Sequence, residues 1–90
     1  MNKTFISLSS LSMDLERVAI GYQRGSIRMA ERFLKEAFAR RNEIDKEAVK
    51  PYIRKILNTL DKINIEKDIM RKAEDALMYS ILFQNASIVG

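Results

Sequence analysis

Apolar residues recur every three or four positions from Ser7 to Arg41 with no proline to interrupt them. Leu8, Leu11, Leu15, Val18, Tyr22, Ser26, Met29, Phe33 and Ala37 follow the spacing that keeps side chains on one helix face. Ile20, Ile27, Leu34 and Phe38 widen that face, so the helix has to touch neighbours on two sides. The pattern predicts one long helix over about 8–41. Unbroken, it would span roughly 50 Å. Its start falls between Ser7 and Ser12, where serines offer capping oxygens and Asp14 and Glu16 suit the positive helix end. Residues 1–6 read as a loose lead-in with Phe5 and Ile6 available to pack. Glu31 with Lys35, and Glu36 with Arg40, are acid-to-base pairs in the favourable order.

Gly21 and Gly25 sit inside this pattern, each costing about 1 kcal/mol against alanine. The leading explanation is a close helix–helix contact in which the missing side chains let two backbones approach. A bend or break near Gly25–Ser26 competes with it and would turn three helices into four. A backbone contact to a ligand is the third option.

Downstream elements are shorter. Asn42 to Asp45 is a connection, Asp45 can cap a first turn over 45–49, and Pro51 bends or restarts the helix. The second helix covers about 45–62, with Val49, Ile53, Ile56, Leu57, Leu60 and Ile63 inward. Asn64 suits its end, because asparagine tolerates left-handed backbone angles. A third helix is expected over about 66–86. In its first half Ile69, Met70, Ala73, Ala76 and Leu77 face inward, and Lys67, Asp68, Arg71 and Asp75 face out. After Asp75 no charge follows, and Met78, Leu82 and Ala86 continue the line of Arg71 and Asp75. A helix that is apolar all round is covered on all sides. Met78, Leu82, Phe83 and Ala86, with Ile20 and Ile27, are therefore the expected interface of a homodimer. A hairpin of the two shorter helices cannot cover a straight first helix; either that helix bends back at Gly25 or a second chain covers it.

The expectation is thus an all-α helical bundle, one domain over residues 1–90, and a dimer. Ninety residues leave a high surface-to-volume ratio, which also favours self-association. The start MNKTFISLSSLS lacks the long apolar core of a signal peptide, and no apolar run is long enough to span a membrane. A cytoplasmic location is the default, and absence of cysteine fits a reducing compartment.

Chemistry is sparse. Neither histidine nor cysteine is present, which removes the commonest general base, the strongest nucleophile and the usual transition-metal ligands. No Gly-rich phosphate loop occurs, and Glu43, Asp45 and Glu47 are better explained by capping and solvation than by a metal. No catalytic residue, metal or cofactor is assigned. The net charge of +4 raises the prospect of an anionic partner only slightly. On an unbroken helix Arg17, Arg24, Arg28 and Lys35 would form a stripe able to follow a phosphate backbone. A solvated face is the plainer reading, since no aromatic residue interleaves the stripe for base stacking.

A long helix followed by two shorter ones resembles, in outline, the all-helical chorismate mutases. The residues that carry this are Arg28, Lys35, Glu47 and Gln84, of the kind such a site uses. The resemblance implies an intertwined dimer with an arginine-lined active site. The basic residues of the first helix depart from that family's spacing, and Pro51 stands where an Arg-Glu run is expected. The function expected first is therefore self-association or docking to a protein partner. Anion or nucleic-acid binding comes second and a small metabolic enzyme third.

Overall fold

A computed structural model describes residues 3–89 of the chain. The order is α1 (Lys3–Gln23), α2 (Ile27–Glu43), a 3₁₀ turn (Lys46–Ala48), α3 (Pro51–Thr59), α4 (Lys62–Ile65) and α5 (Ile69–Val89). Helix accounts for 86% of the structure, and there is no strand among the described residues. The expected all-α bundle is what forms, and the alternative at Gly25 decides its shape. The first helical stretch is two helices, not one.

The break is a Schellman ending. Gly25 has φ of 75°, the left-handed backbone that a side chain disfavours. The Ser26 amide donates to the Gly21 carbonyl at 2.8 Å, and the Gly25 amide to Tyr22 at 3.2 Å, the paired bonds of that motif. The chain then returns antiparallel along α1. Asp14 on α1 meets Arg40 on α2, Arg17 meets Phe33, and Gly21 meets Ala30.

At Gly21 the two helices touch backbone to backbone. A Cβ placed there would lie 2.9 Å from the Ala30 Cβ and 3.0 Å from its amide nitrogen. Gly21 is thus the close contact and Gly25 the turn, since nothing lies within 4 Å of a Cβ at Gly25. Lower in the hairpin the buried Asp14 carboxylate accepts from Arg40 Nε at 3.0 Å, with Arg17 at 3.7 Å. A carboxylate taken out of water needs such partners, so this pair fixes how α2 lies on α1.

The reversal also shifts the phase of the apolar line. Leu8, Leu11, Leu15, Val18 and Tyr22 are buried as expected. On α2 the buried positions are Ala30, Leu34 and Ala37, whereas Ser26 and Met29 are exposed and Phe33 half-buried. A helix restarted after a turn keeps no register with the one before it.

The ends differ from expectation as well. α1 is helical from Lys3, so residues 3–6 are not a lead-in, and Phe5 packs on the core. Met1 and Asn2 lie outside the described residues. Ser12 is not a cap but a buried hydroxyl that donates to the Ser80 carbonyl at 2.8 Å. Asp45 caps the 3₁₀ turn by accepting from the Glu47 amide, and Pro51 opens α3 at a position where its missing N–H costs nothing. The second helix expected over about 45–62 is therefore three short pieces, and α4 ends in extended backbone at Glu66 without a left-handed asparagine. Ile53, Leu57, Leu60 and Ile63 are buried and Ile56 half-buried, as their spacing predicts. Arg41 reaches Asp61 at 2.9 Å, tying α2 to the α3–α4 junction.

The radius of gyration, 12.3 Å, matches the roughly 12 Å of a compact chain of this length. The cover that a straight first helix would need from a second chain is supplied by the chain's own return.

Gly21→Ala gains about 1 kcal/mol of helix propensity and forces Cβ into Ala30, so a net loss of about 1–2 kcal/mol is expected from denaturant midpoints. Gly25→Ala is expected to cost about 1 kcal/mol or more through backbone strain alone, and Gly25→Asn less. A stabilising Gly21→Ala would contradict the close contact.

Candidate functional site

α5 starts where Asp68 caps it, its carboxylate accepting from the Met70 amide at 2.9 Å and the Arg71 amide at 3.4 Å. The start is Ile69, three residues later than the sequence pattern placed it, and the helix runs on to Val89. α5 lies antiparallel to α1, since Ser80 opposes Ser12 and Lys72 sits over the Tyr22 ring.

Side-chain size sorts the faces of α5. Ala73, Ala76 and Ser80 are small and buried, on the side where Ser80 meets α1. Small residues let two helix axes come close. Tyr79 and Phe83 stack on each other and fill the core, and the Tyr79 hydroxyl donates to the Thr59 carbonyl at 3.1 Å, which ties α5 to α3. Phe83 and Ala86, expected at an interface, are core residues of this chain, 0% and 3% exposed. Met70 and Leu77, expected inward, stand in solvent instead. The inward positions are taken by alanine, serine, tyrosine and phenylalanine, which leaves the larger aliphatic side chains outside.

The outer face of α5 is consequently apolar. Leu77, Met78, Ile81 and Leu82 are between 37% and 49% exposed over two consecutive turns. With Glu74 they border an open hollow of about 360 Å³. Ile20 and Ile27, the other expected interface residues, are half-buried at the α1–α2 hairpin.

The basic residues do not lie on one helix. Arg17 lies beside Asp14 with its guanidinium 5.6 Å from the Phe33 ring, at the exposed edge of the hairpin contact. Arg24 and Arg28 flank the Gly25 turn, and Lys35 is further along α2. All are exposed, so the stripe expected on a straight helix is divided between two antiparallel ones. Arg28 and Arg32 border an open hollow of about 620 Å³ at the hairpin tip, formed with Gly25, Ser26, Ile27 and Met29. Solvated arginines at such a tip can attract an anion but fix no geometry for it.

The residues that carry the mutase likeness are dispersed too. Arg28 and Lys35 border different hollows on α2, Glu47 faces Arg54 at 3.9 Å in the 3₁₀ turn, and Gln84 is exposed on α5. No group of acidic side chains able to hold a metal ion occurs among the described residues. No helix among them is long and apolar enough to cross a membrane.

Tyr22 is the polar group that the sequence pattern gave no reason to single out. It ends α1 fully inside the core, and its hydroxyl has no hydrogen-bond partner among the described residues. Burial, and then the nearby Glu31 carboxylate, hold its phenol above the ordinary value of 10.0.

Comparison finds no family model, no curated protein and no solved structure that matches the chain.

The raised phenol has a signed consequence. The folded chain binds the Tyr22 proton more tightly than the unfolded chain, so this contribution is complete below pH 10 and is lost as pH rises above it. Tyr22→Phe is expected to flatten the alkaline fall in stability relative to wild type. At neutral pH it should be neutral or stabilising by about 1 kcal/mol, because an unpaired buried hydroxyl is removed. A variant that loses stability at neutral pH would show that the hydroxyl has a partner.

Proposed function

We propose that the protein is an association module whose α5 outer face joins another protein chain. The observation that carries this reading is the row Leu77, Met78, Ile81 and Leu82, where four exposed apolar side chains lie together on two turns of one helix and border one hollow, whereas other exposed apolar residues such as Ile65 and Tyr52 lie on other elements. Covering them would gain about 1 kcal/mol each, half or less of the 1.5–3 kcal/mol for burying a fully exposed side chain. No charge interrupts α5 after Asp75, and Glu74 alone brings a charge to the edge of this hollow. A symmetric dimer is the simplest assembly that covers such a face in every copy.

Light scattering of the purified chain tests it. The expected mass is about twice the 10.4 kDa of one chain. Leu82→Lys lies on the exposed side and is expected to return the mass to that of one chain with an unchanged circular dichroism spectrum. Wild type that stays at the mass of one chain at the highest concentration reached would refute the reading.

A further inference from the structure

The outer face of α5 reads almost the same in both directions. Leu77 and Met78 precede Ile81 and Leu82 by one turn, with Glu74 before this block and Asn85 after it. A two-fold axis between Tyr79 and Ser80 exchanges Leu77 with Leu82, Met78 with Ile81, and Glu74 with Asn85. The hollow on this face has the matching form. Of the five residues that border it, Leu82 flanks the others, and Glu74, Leu77, Met78 and Ile81 stand at relative positions i, i+3, i+4 and i+7. Those are the corners of the hole that takes one side chain of a facing helix in coiled-coil packing.

Resting on the association reading above, we infer that the occupant is a second copy of α5, packed antiparallel about that axis. Ile81 of the partner subunit enters the hole, and the reciprocal contact forms on the other side of the axis. Charge selects the direction. Every charge of α5 falls in its first two turns, at Arg71, Lys72, Glu74 and Asp75. A parallel pair would set Glu74 beside its own copy. The antiparallel pair brings the charged half of each helix against the uncharged half of the other, and the Glu74 carboxylate accepts from the side-chain amide of the partner's Asn85. The apolar block that repeats on reversal, with Glu74 and Asn85 as a polar pair at its ends, singles out a second copy as the occupant, since another protein would have no reason to be met by such a face.

Sedimentation equilibrium on charge variants reads this register. Within one chain Asn85 lies roughly 16 Å from Glu74, too far along the exposed helix for a direct contact. Asn85→Lys creates two symmetric ion pairs with Glu74 across the axis and is expected to tighten the dimer about tenfold, roughly threefold for each pair. Asn85→Glu is expected to weaken it by a similar factor, and Glu74→Lys combined with Asn85→Glu to restore it. Circular dichroism of each variant checks that the helix content is unchanged. A parallel dimer would be weakened by lysine and by glutamate alike at Asn85, because each residue would meet its own copy. That result, or no response to either, overturns the antiparallel register and leaves association through α5 intact. A wild type that sediments as one chain at all concentrations removes the association reading and this inference with it.

Discussion

The contact between Gly21 and Ala30 is the constraint on which the rest of the bundle depends. It sets α1 and α2 at a distance that no side chain at Gly21 would allow. That distance is reachable only because the chain reverses within three residues, at the left-handed Gly25. One glycine makes the turn and the other makes the approach. The buried Asp14 carboxylate, held by Arg40, fixes the far end of the same hairpin. Loss of either glycine or of the acid would weaken the seat of α2 on α1.

Once the hairpin closes, the remaining helices have one side of it to cover. α3, α4 and the turn between them supply Ile53, Leu57, Leu60 and Ile63 to the core, and α5 lies along α1 through small residues. Ala73, Ala76 and Ser80 let α5 sit close, and Tyr79 and Phe83 reach across to fill the space beside them. This economy has a consequence on the opposite side. The bulky aliphatic residues of α5 have no place inside, and they make the outer face that the proposed association would use. Core packing and surface character thus follow from the same choice of small residues along one edge.

Much of the fold was legible from helical periodicity, because amphipathic spacing tells which residues share a face. The inner line of α3 and α4 and the burial of Leu8 to Tyr22 came out of that spacing directly. What spacing cannot tell is which face of a helix apolar all round meets the core. On α5 this placed Phe83 and Ala86 at an interface when they are interior, and Met70 and Leu77 inside when they are exposed. The signal that was available was size, since alanine and serine mark the side of a close neighbour. The turn was signalled too. A glycine with helical pattern on both sides is as much a C-terminal residue as an interior one, and here the ending won because Gly21 and Ala30 made the returning path a tight fit. The basic stripe was read on a straight helix, so its residues are shared between the two arms of the hairpin instead.

The most direct test of this account is whether the chain turns back on itself at Gly25. The protein has no cysteine, so Arg17→Cys and Phe33→Cys introduced together give a clean pair for a short thiol cross-linker. These positions face each other across the hairpin, with the Arg17 guanidinium 5.6 Å from the Phe33 ring centre. On a continuous helix they would stand roughly 24 Å apart, beyond the reach of the reagent. The expected result is an efficient link within one chain, which runs as a single chain on a denaturing gel. No link, or links only between chains, would mean that the helix continues through Gly25, and the core described above would not exist.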